Sequence, residues 1–485
     1  VASLALAGVA THFVVAQLMR RTLWAVGAAL YLCCAGLGAA AGTAIPAAVT
    51  QTMTAQRLPP NAVSFVVLEA DTGRVVISHN ADTPRSPAST IKTVTTYAAL
   101  DLLGPAYIWQ TRAYLHGPDL ILQGGGDPYI TMERWWSFVQ GLRSQGLKSI
   151  DGDIVIDNSA FSLPLEDPGA FDGRPNRSYN VLPDALMVNF QSIDFKLFAD
   201  PDARQVQVIA SPAPVNLNVE NHIRFAAGPC SRSAGRVDFQ VASPQWDRVV
   251  FSGTLSAHCA QRSFARTLLQ PATYAFGTFV QLWRESGGQF SGKLRIEAAP
   301  ADAKPLLTFD SLSLGEIVRL TNKHSSNLMA RHLLLTLGKE RYGEPATVEK
   351  GIAAIADWGR ERELDLSGVD LDNGSGLSRS THISVLQMAR ILNAAYHSRF
   401  APEYLASFPL AGMDGTLRSR MKGSPAGSVR LKTGHLDGVS GVAGYVTTTA
   451  GKTYILVSLV NHARADVGAA EPVHAALVSS VLDKL

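Results

Sequence analysis

Ser428-Val429-Arg430-Leu431-Lys432-Thr433-Gly434 is an extended run, and two more follow it, Gly441-Val442-Ala443-Gly444-Tyr445-Val446 and Thr453-Tyr454-Ile455-Leu456-Val457-Ser458-Leu459-Val460. Short runs rich in β-branched and aromatic residues and bounded by turn residues read as strands, so these three form a β-meander with Lys432-Thr433-Gly434 on its first strand. A strand of edge type can pair with an extended peptide while a lysine and a threonine hydroxyl point at the peptide's carboxylate. Gly434 leaves room for close backbone approach. Far upstream, Ser64-Phe65-Val66-Val67-Leu68-Glu69 and Arg74-Val75-Val76-Ile77 flank an Asp71-Thr72-Gly73 turn and read as a hairpin. The expected fold is α/β. A central antiparallel sheet joins this hairpin to the C-terminal meander, helices lie on both sides, and a last helix from Pro472 to Leu485 closes it.

Two further motifs precede the meander in a fixed order, Ser89-Thr90-Ile91-Lys92 and then Ser325-Ser326-Asn327. A serine hydroxyl is a weak nucleophile at its free pKa and needs a proton acceptor within hydrogen-bond reach. Lys92 is the candidate, because three-residue spacing puts it on the helix face of Ser89. After the Pro87-Ala88 entry the pair falls at a helix start, where the partial positive charge favours a developing alkoxide and lowers a lysine pKa. Ser325 and Asn327 are expected to open an amphipathic helix whose buried side holds Leu328, Met329, Leu333, Leu334 and Leu335. Each motif alone recurs by chance in chains of this length; order and setting together carry the reading.

S-x-x-K, S-D-N and K-T-G in this order form the signature shared by penicillin-binding proteins and class A β-lactamases, and this chain has Ser326 where aspartate is common, at the variable position of the triplet. Around the motifs the chain resembles the penicillin-binding D-alanyl-D-alanine carboxypeptidase and endopeptidase family, the low-molecular-mass class C penicillin-binding proteins. The resembling blocks are Pro87-Ala88-Ser89-Thr90-Ile91-Lys92, Gly125-Gly126-Asp127-Pro128, Asn322-Lys323-His324-Ser325-Ser326-Asn327-Leu328, Gly374-Ser375-Gly376-Leu377-Ser378-Arg379 and Leu431-Lys432-Thr433-Gly434. The resemblance runs from about residue 60 to the C-terminus and implies a β-lactamase/transpeptidase-like catalytic domain. It implies Ser89 as the acylated nucleophile, Lys92 as its base, and Ser325 with Asn327 as proton relay and substrate amide contact. Lys432 and Thr433, beside Gly434, would hold the terminal carboxylate. Arg379 resembles a contact for the free end of a diaminopimelate side chain, with Asp172 for its amino group; the bland reading is an exposed arginine and a loop aspartate. His435 departs from the family, which usually has a hydroxyl residue there, although a histidine can still donate a hydrogen bond.

The implied substrates are peptidoglycan stem peptides ending in D-Ala-D-Ala, with β-lactam antibiotics as covalent inhibitors and no cofactor. The alternatives are a β-lactamase or esterase on the same scaffold, for which no added general base is visible, and a non-catalytic wall-binding homologue, made thinkable by His435.

About 235 residues separate Ser89 from Ser325, more than one compact helical region needs. Alternating β patterns such as Gly152-Asp153-Ile154-Val155-Ile156-Asp157 and Arg204-Gln205-Val206-Gln207-Val208-Ile209 fill the interval. A mainly β accessory insert is therefore expected at residues 113–287, between catalytic segments 45–112 and 288–485, with Pro271 through Trp283 a helix returning to the catalytic part.

Residues 1–44 read as an export segment. Met19-Arg20-Arg21 is a charged n-region, the run from Leu23 to Leu37 an apolar h-region of about 15 residues, and Ala39-Ala40-Ala41 a cleavage site, with the true start expected at Met19. The expected location is periplasmic or cell-envelope, with an uncleaved anchor or loose membrane association left open. Cys33 and Cys34 lack the setting of a lipidation site. If the segment is removed, Cys230 and Cys259 are the remaining cysteines of four, and an even pair in an oxidising compartment points to a disulfide.

Net charge of +3 with 17% charged residues offers no basic stripe, which argues against nucleic acid as a partner. Gly124-Gly125-Gly126 lacks the Lys-Ser or Lys-Thr of a phosphate loop, and neither H-E-x-x-H nor C-x-x-C occurs, so no metal is expected. A G-x-S-x-G elbow is also missing.

Overall fold

The computed structural model describes residues 45–425 and 427–485; the export segment read at residues 1–44, with Cys33 and Cys34, lies outside the described residues. Five antiparallel strands form the first sheet in the order Val429–Leu436, Val439–Thr447, Thr453–Asn461, Val63–Glu69 and Val75–His79. Segments far apart in sequence meet at its centre, with Val63 opposite Val460 and Glu69 opposite Tyr454. Near-continuous apolar runs suit these strands because both faces are covered. Strand alternation then sends successive residues to different cores. Phe65, Val67, Val442 and Leu456 pack with Val49 and Met53 of helix Ala47–Ala55 and with Val473, Leu477 and Val481 of helix Ala470–Lys484. Val66, Leu68, Ala443, Ile455 and Val457 instead pack with Val94 and Ala98 of helix Lys92–Leu103 and with Met388 and Leu392 of helix Val385–Tyr396. Each Val, Leu, Ile, Phe or Met side chain among them, fully buried, contributes about 1.5–3 kcal/mol.

A second five-stranded sheet has the order Leu294–Ile296, Ile154–Asp157, Asp119–Gln123, Gln110–His116 and Pro305–Asp310. Two three-stranded sheets accompany it, Val237–Val241 with Arg248–Ser256 and Asn218–Ala226, and Arg262–Thr267 with Ser192–Asp200 and Gln205–Ser211. They share a separate core with helices Met132–Ser144 and Pro271–Glu285, built around Trp135, Phe138, Phe195, Phe251, Phe279 and Trp283. The boundaries at 113 and 287 fall inside this arrangement, because the sheet that starts at Gln110 is completed only by Leu294–Ile296 and Pro305–Asp310. Three-residue and proline-led strands show too little alternation to reveal pairings nearly 200 residues apart. Cys230 and Cys259 are bridged with their Cα atoms 4.9 Å apart, just beyond the ends of the parallel strands Asn218–Ala226 and Arg248–Ser256. No helix among the described residues is long and apolar enough to cross a membrane.

Candidate active site

Ser89 lies in a single 3-10 turn, Ala88–Ile91, that runs directly into helix Lys92–Leu103. In 3-10 geometry residues three apart eclipse one another, so Lys92 comes under Ser89. The Lys92 Nζ donates to Ser89 Oγ at 2.8 Å, to Asn327 Oδ1 at 2.7 Å and to the Ser375 carbonyl. Its side chain is wholly buried, and its pKa is pushed well below the ordinary lysine value, first by burial and then by the nearby charge of Lys432. The helix start expected from sequence is present as well, since Lys92 is the first residue of helix Lys92–Leu103. A neutral amine in this position presents a lone pair to the Ser89 proton. The Ser375 carbonyl reaches Lys92 through a tight loop: Gly376 has φ +77°, and a Cβ there would stand 2.0 Å from the Ala88 carbonyl oxygen.

Ser325 does not open a helix as expected; it closes helix Leu314–His324 in the left-handed conformation, φ 57° and ψ 38°. Ser326 then caps helix Asn327–Tyr342 by accepting from the Met329 amide. Serine and aspartate are both good N-caps, which accounts for serine at a position where the resembling family often has aspartate. Flanking the cap, Ser325 and Asn327 face the cleft that holds Ser89. Leu328, Met329, Leu333, Leu334 and Leu335 are buried, as their spacing requires.

Lys432 and Thr433 lie on the edge strand of the first sheet. The Lys432 Nζ donates to Ser325 Oγ at 2.7 Å and to the Thr433 carbonyl at 2.6 Å, and burial pushes its pKa down to about 7. The Thr433 hydroxyl donates to Thr416 Oγ1 at 2.8 Å. At Gly434 an added Cβ would meet the Pro87 carbonyl oxygen at 2.6 Å and the Ser89 nitrogen at 3.1 Å, so the strand approaches the Ser89 turn only because this residue lacks a side chain. Gly434→Ala is expected to displace Ser89 and slow acylation by benzylpenicillin about 100-fold, the order that a 1 Å misplacement costs. Stopped-flow acylation checks this, with the far-ultraviolet dichroism spectrum staying unchanged.

The Ser89 cleft, about 490 Å³, is also lined by exposed His435, by Asp172 and by Phe171 and Tyr179. Burial would raise the Asp172 pKa, but donors from the Tyr179 hydroxyl at 2.7 Å, Asn180 Nδ2 at 2.8 Å and the Arg174 amide at 3.0 Å hold it below the usual carboxylate value. Arg379 lines a neighbouring cleft that shares Phe171 and Leu377 with the first. Its guanidinium stacks 4.7 Å from the Phe171 ring centre and donates to the Asp437 carbonyl at 3.1 Å.

Three participants escaped the sequence reading. The Tyr179 carbonyl accepts from Asn327 Nδ2 at 2.9 Å, and the Ser375 carbonyl accepts from Lys92; such backbone contacts leave no mark on residue type. The third, Thr416, sits in Asp414-Gly415-Thr416, where a glycine turn between an acid and a hydroxyl was the available signal.

A serine on a buried lysine, a second serine on a second buried lysine, and an open sheet edge beside both define an active-site serine acyl-transferase of β-lactamase/transpeptidase-like fold. The chain belongs to the D-Ala-D-Ala carboxypeptidase 3 (S13) family, whose sequence profile matches residues 45–480. It is 25% identical over 418 residues to D-alanyl-D-alanine carboxypeptidase DacB of Haemophilus influenzae, covering 84% of this chain and 87% of that protein. It is 26% identical over 422 residues to the D-alanyl-D-alanine carboxypeptidase of Actinomadura sp. (strain R39), covering 82% and 77%. The crystal structure of penicillin binding protein 4 from Haemophilus influenzae shares its fold, with a TM-score of 0.74 and 23% identity over 89% of this chain and 99% of that one.

Proposed function

We propose that this chain is a serine-type D-alanyl-D-alanine carboxypeptidase of the cell envelope that trims peptidoglycan stem peptides, cleaves cross-links by the same chemistry, and is acylated by penicillin. The observation that carries the proposal is the 2.8 Å contact between Ser89 Oγ and the wholly buried Lys92 Nζ.

In this reading neutral Lys92 takes the Ser89 proton as Oγ attacks the carbonyl of the penultimate D-Ala. The amides of Ser89 and of the residue beyond Gly434 stabilise the oxyanion. The departing D-Ala amine needs a proton, and Ser325, hydrogen-bonded to Lys432, is placed to relay to it the proton that Lys92 took from Ser89, which leaves Lys92 neutral and Lys432 charged. Asn327 contacts the substrate amide. Water then attacks the acyl-enzyme by the reverse proton path. Charged Lys432 and the Thr433 hydroxyl hold the C-terminal carboxylate, with His435 at the rim. Asp172 receives the amino group of the third-residue side chain and Arg379 its carboxylate. The part spanning 110–310, with its own core, serves as an accessory module inserted in the catalytic domain.

Wild-type enzyme incubated with a stem pentapeptide is expected to release free D-alanine, and benzylpenicillin to block the release. Binding without release would favour the non-catalytic reading. Rapid turnover of penicillin would favour the lactamase.

A further inference from the structure

Thr433 carries one hydroxyl proton, and the structure shows it donated to Thr416 Oγ1. A hydroxyl has one donor and two acceptor positions. While that proton lies on Thr416 it cannot reach an anion in the cleft. To bind a carboxylate, Thr433 must turn its proton outward, and the acceptor position it then presents inward can be filled by the hydroxyl of Thr416.

Thr416 is held to suit this exchange. Its turn, Gly415–Leu417, is keyed into the end of the helix that terminates at Ser325. Asp414 pairs with Lys323 at 2.6 Å, and Lys323, on the last turn of that helix, is buried. Gly415 packs so closely that a Cβ would lie 2.6 Å from the Lys323 carbonyl oxygen. The Asp414-Gly415-Thr416 turn therefore ties the wall carrying Ser325 to the strand carrying Thr433. The Ser325–Lys432 hydrogen bond makes a second tie between the same walls.

We propose that Thr416 is a positioning residue of the carboxylate pocket. Its hydroxyl donates to Thr433 when Thr433 turns its own proton to the anion, so a two-hydroxyl relay holds the carboxylate beside Lys432. The assignment rests on the proposed function only in taking the physiological anion to be the D-Ala terminus.

The test compares acylation of the enzyme by benzylpenicillin with acylation by its methyl ester, in which the carboxylate is masked. Thr416→Val is expected to slow the acid about tenfold, the upper scale of one hydrogen bond between neutral groups, and to leave the ester rate within about twofold. Thr416→Ser should restore the acid rate. In a Thr433→Val background, Thr416→Val should have little further effect on the acid, because the two side chains act as one unit. Equal losses on acid and ester would reduce Thr416 to a structural role, and an unchanged acid rate would overturn the relay. If the wild type acylates but releases no D-alanine from peptide, the proposed function fails while the acid-to-ester comparison still decides the role of Thr416.

Discussion

Ser89→Ala is expected to abolish covalent labelling by a fluorescent penicillin and to lower D-alanine release by a factor of about 10⁴ or more, the scale seen when a serine hydrolase loses its nucleophile. The loss should come without unfolding. The Ser89 hydroxyl is one of three acceptors around the Lys92 amine, and Asn327 Oδ1 and the Ser375 carbonyl remain when it is gone. The substitution removes one oxygen from a half-buried position in a 3-10 turn and creates no cavity in either core. Thermal unfolding should therefore stay within a few degrees of wild type, a shift of about 1 kcal/mol or less for a chain of this size. Persistent labelling of the variant would place the nucleophile elsewhere.

Lys92→Met should slow acylation by a factor of about 10³, within the range contributed by a positioned general base. Methionine matches the length of the lysine stem and fills irregular space well. The substitution deletes a fully desolvated amine, which favours the fold, and strips Asn327 Oδ1 and the Ser375 carbonyl of a donor, which opposes it. These effects offset, so the melting temperature should move little while activity collapses. The pH profile separates base from scaffold. In the free wild-type enzyme the acylation rate should rise with pH as Lys92 loses its proton. It should fall as pH climbs above about 7, where Lys432 loses the charge that attracts the carboxylate. Lys92→Met should erase the rising limb and keep the falling one. Labelling at the wild-type rate would remove Lys92 from the mechanism.

The sheet was legible because its three inner strands are buried on both faces and so written as near-continuous apolar runs, while the short Asp71-Thr72-Gly73 turn marks the hairpin. The convergence of Ser89, Lys92, Ser325, Asn327 and Lys432 was legible from motif order and from the element each motif occupies. The structure joins them in two hydrogen-bonded groups, Ser89 and Asn327 on Lys92 and Ser325 on Lys432, and Ser89, Ser325 and Asn327 line one cleft. Other features were hidden for physical reasons. Ser325 ends a helix in a conformation usually marked by glycine, so nothing in its residue type announced the stop. The Tyr179 and Ser375 carbonyls act through the backbone. Arg379 was legible as a candidate, but its stacking on Phe171, and hence its place in the neighbouring cleft, depends on a long irregular loop that carries no periodicity. Thr416 was overlooked because its partner lies across two elements.

The most direct measurement is peptide mapping by mass spectrometry after brief exposure of the wild-type enzyme to benzylpenicillin and an acid quench. One benzylpenicilloyl group on the peptide that contains Ser89 is the expected result, and an adduct on a different residue, or none, would contradict the account.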